Sequence, residues 1–317
     1  MTHSQANTHL DTSLARQFND NSPLSQVDWQ APWLQHLAIR GLLVKETSNQ
    51  PGDDSAVPSI AHHLNSWRDK LAASQYTLAD KTRRFATGRG QALRFVPQDD
   101  LPEGMAYETF IARSGGVPTR DNFHDLFNGS IWLTFPKSKA LLNRYQAQAI
   151  DEQGISGMRG RVRDTITVFD ENGAILVTAK PSIGEALAAF NWQGCLVSAR
   201  AYWDNPLQPN KSAQAAVYIF GHALLEQLIS PRKPLCAHTL IISVEPDFFE
   251  LPIAERMAHL DTELAARLDE LLQDESVTPR AFSPLPILGV PHFWPDNQDP
   301  EFYEDKFVFR SGRRRQN

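Results

Sequence analysis

Two short stretches bring proton-active side chains together with apolar surroundings. The run Phe123-His124-Asp125-Leu126-Phe127-Asn128 opens a segment that is apolar almost all round, and His124 shares a helical face with Asn128 four residues on. Burying either group without a partner costs ~1–3 kcal/mol, so something must meet them. In the second stretch Tyr218, His222 and Glu226 recur at steps of four. A histidine and a glutamate at that spacing can reach one metal ion, or the carboxylate can orient the imidazole. His238 follows on an alternating run expected to pack beside that helix, and would add a nitrogen ligand for a divalent metal such as Zn, Mn or Fe. The expected catalytic groups are therefore His124, Asp125 and His222, with His222, Glu226 and His238 as metal ligands. A histidine base suits neutral pH, because its unperturbed pKa is ~6.5. The bland alternative is that these groups bond to backbone and serve packing alone.

A charge asymmetry suggests the substrate. Residues 113–163 carry eight Lys/Arg against four Asp/Glu, whereas residues 245–275 carry ten acids against Arg256 and Arg267. A basic face would turn toward an anionic small molecule, most simply a phosphate-bearing one. Arg113, Arg120, Arg159 and Arg163, with Asn128 and Tyr218, are the expected substrate-binding residues. The Ser114-Gly115-Gly116 turn could form an anion nest but matches no phosphate-loop fingerprint. The reading is a hydrolase-type enzyme using His/carboxylate chemistry, with metal assistance. The competing reading is a non-catalytic adaptor whose basic face holds an acidic partner or nucleic acid; steep salt dependence would mark it. The chain has no G-x-S-x-G elbow, no H-E-x-x-H and no paired C-x-x-C.

The elements that must position these groups can be read coarsely. Residues 1–24 are rich in Ser, Thr, Asn and Gln and should be disordered, leaving 25–317 as a single compact domain. Helices are expected around Trp29–Leu42 with a stop at Gly41, at Ile60–Ser74, from an Asp121 N-cap to Phe135, and from Lys137 to near Gly154. Gln91–Val96 reads as a short strand. Alternating runs about Asp170-Glu171-Asn172-Gly173 predict a hairpin at about 164–178. Ser182 and Glu185 form a capping-box pair. A helix is expected from Ala213 to Ile229, a strand at about 237–244, and an amphipathic helix over 253–274. The class is α+β, predominantly helical, with a small mixed or antiparallel sheet.

Bulk composition is consistent with this. The 317 residues are 41% hydrophobic and 21% charged, so the chain can bury a sizeable core. A net charge of −6 argues against a general nucleic-acid coat, though a local basic patch leaves nucleic acid open as a partner. Cys195 and Cys236 fit no paired metal-ligand spacing and are expected as free thiols. No apolar run approaches the ~20 residues needed to cross a bilayer, and the start lacks a signal-peptide pattern, so a cytoplasmic location is expected. Composition sets no oligomeric state.

The stretches YETFIARSGGVPTRDNFHDLFNGSIWLTFPKSKALLN, RDTITVFDENGA and FGHALLEQLISPRKPLCAH, and more loosely LPILGVPHFWPDN and FYEDKFVF, extend over most of the chain from about residue 90. In these the chain resembles a family of bacterial proteins known as domain of unknown function 3025. The resemblance implies no activity. It directs attention to Arg120–Asn128, Arg163–Asp164, Gly221–Glu226 and His238.

Overall fold

The computed structural model describes residues 23–46, 58–75, 85–153 and 160–312. Its centre is strand β3 (Gly173–Thr178), whose six residues Gly-Ala-Ile-Leu-Val-Thr are all buried. A strand apolar on both faces belongs inside a sheet covered on both sides. Here it pairs antiparallel with β4 (Ala215–Ile219) and parallel with β5 (Cys236–Ser243). Strand β6 (Ser283–Pro286) closes the sheet antiparallel to β5, giving the order β4-β3-β5-β6. The prolines of β6 suit an edge, where a missing N–H breaks no ladder. A separate parallel pair joins β1 (Arg94–Pro97) and β2 (Gly116–Thr119).

In chain order the α-helices are α1 (Arg40–Glu46), α2 (Ile60–Gln75), α3 (Tyr107–Ser114), α4 (Phe123–Thr134) and α5 (Pro136–Gln153). They continue with α6 (Arg161–Asn172), α7 (Pro181–Ala188), α8 (His222–Gln227) and α9 (Ile253–Leu272). Helix α4 is the buried one: every residue from Asp125 to Thr134 is inside. Its hydroxyls are satisfied within the helix, Ser130 donating to Leu126 O and Thr134 to Ser130 O. Pro136 ends α4 by starting α5, where a missing N–H is harmless. The acidic α9 packs along α5. Asp261 accepts from the Lys137 and Ser138 amides and so caps α5, while Arg144 pairs with Asp269 at 2.7 Å. The basic and acidic stretches thus partly neutralise each other.

Several expectations are corrected. Residues 161–172 form a helix, so the hairpin at about 164–178 does not exist; only its second half, β3, is a strand. The alternation of Val162, Ile166 and Val168 misleads, because the buried residues are Thr165, Ile166 and Phe169, a helical set. Thr165 and Thr167 donate to the carbonyls four residues back, which suits them to a helix. The expected helix 213–229 splits into β4 and the short α8, because β3 offers residues 215–219 a complete ladder. Asn122, not Asp121, caps α4, accepting from Asp125 N at 2.8 Å. Asp121 instead accepts from Ile60 N at the start of α2. Gly41 lies inside α1 instead of stopping a helix. Ser182 makes no capping bond; Pro181 begins α7. The expectation for residues 1–24 falls outside the described residues, apart from Pro23 and the buried Leu24. Cys195 and Cys236 are both free thiols, as expected. Among the described residues no helix is long and apolar enough to cross a membrane.

Candidate metal centre

Three chain segments distant in sequence meet at one end of the four-stranded sheet. The first turn of α4 contributes His124, the last turn of α6 contributes Asp170 and Glu171, and α8 contributes His222 and Glu226. Gly221 makes the meeting possible. A Cβ there would lie 2.5 Å from Glu171 O and from Gly173 N, so only glycine lets α8 start against the α6–β3 corner. Its amide donates to Gly173 O at 2.8 Å. Helix α8 then packs against both α4 and α6.

The two imidazoles stand edge to face, with ring centroids 4.5 Å apart and planes at 79°. Their Nε2 atoms face each other at 3.1 Å. Glu171 Oε2 lies 3.5 Å from His222 Nε2, and donor atoms of His124, Glu171 and His222 all fall within 4.8 Å of one another. Around a tetrahedral ion with bonds of 2.0–2.1 Å, neighbouring donors stand roughly 3.3 Å apart. The His124–His222 and His222–Glu171 separations match that spacing, and the third pair lies within 4.8 Å.

Protonation sharpens the point. His124 Nδ1 hydrogen-bonds Glu226 Oε2 at 3.0 Å; with the proton on Nδ1, its Nε2 presents a lone pair to His222. Burial pushes His222 down to about 4, so at neutral pH it carries one proton. Placed on Nε2, that proton bridges the rings but leaves the buried Nδ1, which has no hydrogen-bond partner, as a bare acceptor. A cation held by the two imidazoles would let His222 keep its proton on Nδ1, beside Asp170, whose Oδ2 is 3.9 Å away.

The surrounding charge favours a cation too. The carboxylates of Asp170, Glu171 and Glu226 gather on the two imidazoles, and Lys139 pairs with Asp170 behind them. Burial raises Glu171, and neighbouring Asp170 raises it further. Burial alone would raise Asp170 as well, but Lys139 and His222 hold it below the usual carboxylate range. Lys139 Nζ donates to Asp170 Oδ1 at 2.6 Å and to Asn128 Oδ1 at 3.0 Å, and Asn128 Nδ2 donates to the Tyr107 hydroxyl at 3.1 Å. This buried chain fixes Asp170 behind His222. The front is open: His222 and Lys139 are 5% exposed, but His124 and Glu226 are 31% and 41% exposed.

The other candidate residues fall into place around this centre or away from it. Asp125 is engaged by the Arg120 amide and both arms of its guanidinium, at 2.7–3.1 Å. Arg113 faces Asp151, near the far end of α5, twelve residues or ~18 Å along the helix from Lys139. Arg163, in the first turn of α6, meets Gln146 and with Arg144 and Arg161 borders a separate surface cleft of about 500 Å³. Arg159 lies outside the described residues. Tyr218 belongs to β4 and packs on His36, so it does not join His222 and Glu226. His238 sits on β5 opposite Gly173, at the same end of the sheet, but is not among the convergent donors. Sequence reading missed Asp170, Glu171, Lys139 and Tyr107. Asp170 and Glu171 were concealed by their place in an apparent Asp-Glu-Asn-Gly turn.

An α+β chain with a His/carboxylate cluster at a sheet end is the class that fold and site define. The family model for proteins of unknown function, DUF3025, matches residues 93–313, and the chain belongs to that family. All the convergent residues lie within the match. No curated protein and no solved structure matches the chain.

Proposed function

We propose that the protein is a divalent-metal hydrolase acting on an anionic, phosphate-bearing substrate. One observation carries the reading: two histidine Nε2 atoms 3.1 Å apart, with a carboxylate oxygen of Glu171 3.5 Å from that of His222. His124, His222 and Glu171 would hold the ion. When bound, it would supply an activated water and a Lewis acid for the substrate oxygen. Glu226 orients His124, and Asp170, held by Lys139, sits behind His222. Glu226, exposed beside the open face, is placed to take the proton from an attacking water. Arg120 pairs with Asp125 through Nε and Nη2, but its side chain is 56% exposed, and its remaining donors would meet the substrate's negative charge. An anion alone would be repelled by the carboxylates, so its binding should depend on the ion. The adaptor alternative draws on the basic stretch, but Arg113 and Arg144 there already face Asp151 and Asp269.

The test is elemental analysis of protein stripped with chelator and reloaded with Zn, Mn or Fe, followed by turnover of bis(p-nitrophenyl) phosphate. One ion per chain is expected, lost in His124→Ala and His222→Ala, with turnover lost in parallel. Folded wild-type protein that takes up no ion in any of the three would sink the proposal.

A further inference from the structure

A cleft of about 460 Å³ opens between the segment around Pro32, strand β4 and the start of α9. A smaller one, of about 280 Å³, lies between residues 35–41, the α4–α5 junction and α9. Gln35, His36, Arg40 and Ile253 border both, so the two adjoin as one trough. The larger has a volume that suits one small molecule. Its walls are mostly apolar, with Trp203, Phe249, Pro252 and Phe293 among them.

The charges around the trough are matched, with one exception. Arg256 Nη1 donates to Asp204 Oδ2 at 2.6 Å, a buried pair. Asp261 accepts from the amides of Lys137 and Ser138, and Lys137 Nζ donates to Thr262 Oγ1. Lys211 and Glu250, both exposed, carry opposite signs. Burial holds His36 at about 4, so it is neutral at physiological pH. The exception is Arg40, which forms no ion pair among the described residues; burial lowers its pKa and no neighbouring acid raises it. Its Nε donates to Trp29 O at 3.0 Å and its Nη2 to Gln30 Oε1 at 2.9 Å, so neutral acceptors fix one edge of the guanidinium. Its Nη1 has no hydrogen-bond partner and is not sealed off by protein atoms. A half-buried guanidinium without a counter-ion is a costly arrangement that a bound anion offsets.

We propose that this trough binds a small molecule with an apolar body and a single carboxylate, whose two oxygens meet the free Nη1–Nη2 edge of Arg40. That edge presents two parallel donors, the fork that a carboxylate fits. The apolar walls give contact to the rest of the molecule, while Glu250 and Asp261 disfavour a multiply charged anion. No residue of the metal centre lines either cleft, so this site is a distinct one.

The experiment titrates full-length protein with 3-phenylpropionate, 3-phenylpropanamide and 3-phenylpropylamine, read by backbone amide chemical shifts and ligand-observed NMR. The acid should bind saturably, shifting amides of residues 36–41 and 253–257, and more tightly than the amide or the amine. Arg40→Gln should weaken the acid about tenfold, the worth of one charge-assisted contact, and leave the amide unchanged. Ile253→Glu places a like charge at the exposed start of α9, where an acid suits the helix, and should weaken the acid while sparing the amide. It keeps the test decisive if Arg40→Gln does not fold. Chelator should alter none of this, which separates the result from the fate of the metal proposal. An acid that fails to bind, an amide or amine that binds as tightly, or shifts confined to other residues would overturn it. Unchanged acid affinity in either folded variant would do the same.

Discussion

His36 shows at residue scale how one buried ring records its surroundings. Its folded-state value of about 4 lies below the ordinary ~6.5 because burial disfavours the imidazolium. The unfolded chain therefore takes up the extra proton, so the contribution to stability is complete above about pH 6.5 and is lost as pH falls toward 4. Urea midpoints should drop between pH 7 and pH 5 in the wild type. In His36→Asn, which cannot titrate, that drop should be smaller; an equal drop would assign the pH dependence to other groups. The metal-centre residues obey the same physics with opposite consequences for function. His222 is kept neutral by burial, which is the ligand-competent state, while Lys139 keeps Asp170 ionised behind it.

At the scale of elements, Gly221 couples fold and site. The turn from β4 into α8 runs so close to the end of α6 that a methyl group would meet the Glu171 carbonyl and the Gly173 amide. Gly221→Ala should destabilise the protein by about 1–3 kcal/mol through overpacking. Because the strain falls between Glu171 and His222, ion uptake should weaken as well. Wild-type metal content in that variant would mean the corner can relax without moving the donors. Helix α5 links site to surface in another way: its start is capped by Asp261 of α9 and holds Lys139, while its far end faces Arg113 through Asp151. Of the arginines expected to gather at one anion site, Arg113 and Arg163 meet this helix at Asp151 and Gln146, whereas Arg120 pairs with Asp125 at the start of α4.

For the whole molecule, the centre is a cross-link among α4, α6 and α8, with His124 meeting His222 and Glu226 across 98 and 102 residues of chain. An ion that binds only the folded chain stabilises it by mass action, about 2.7 kcal/mol at a hundred times its dissociation constant. Chelated protein should melt lower than ion-loaded protein, with the difference absent in His124→Ala. A melting temperature indifferent to chelator would show that no ion bridges these helices under native conditions.

Much of the architecture was open to a local reading. The apolar stretch 123–134, the amphipathic 253–272 and the alternating 236–243 each carry a periodicity that matches the element they form, because burial of one stripe or face is a short-range pattern. That His124 and His222 would need partners was likewise visible, since polar groups set in apolar runs must be met, and His124 is met by His222 and Glu226. Tertiary contacts decided the rest. Residues 161–172 become a helix because Ile166 and Phe169 find the core together, and residues 215–219 become a strand because β3 is there to pair with. Those two outcomes carry Asp170 and Glu171 to the histidines and take Tyr218 away from them. Spacing along a chain reports which side chains share a face, but which faces meet depends on long-range packing that no local pattern encodes.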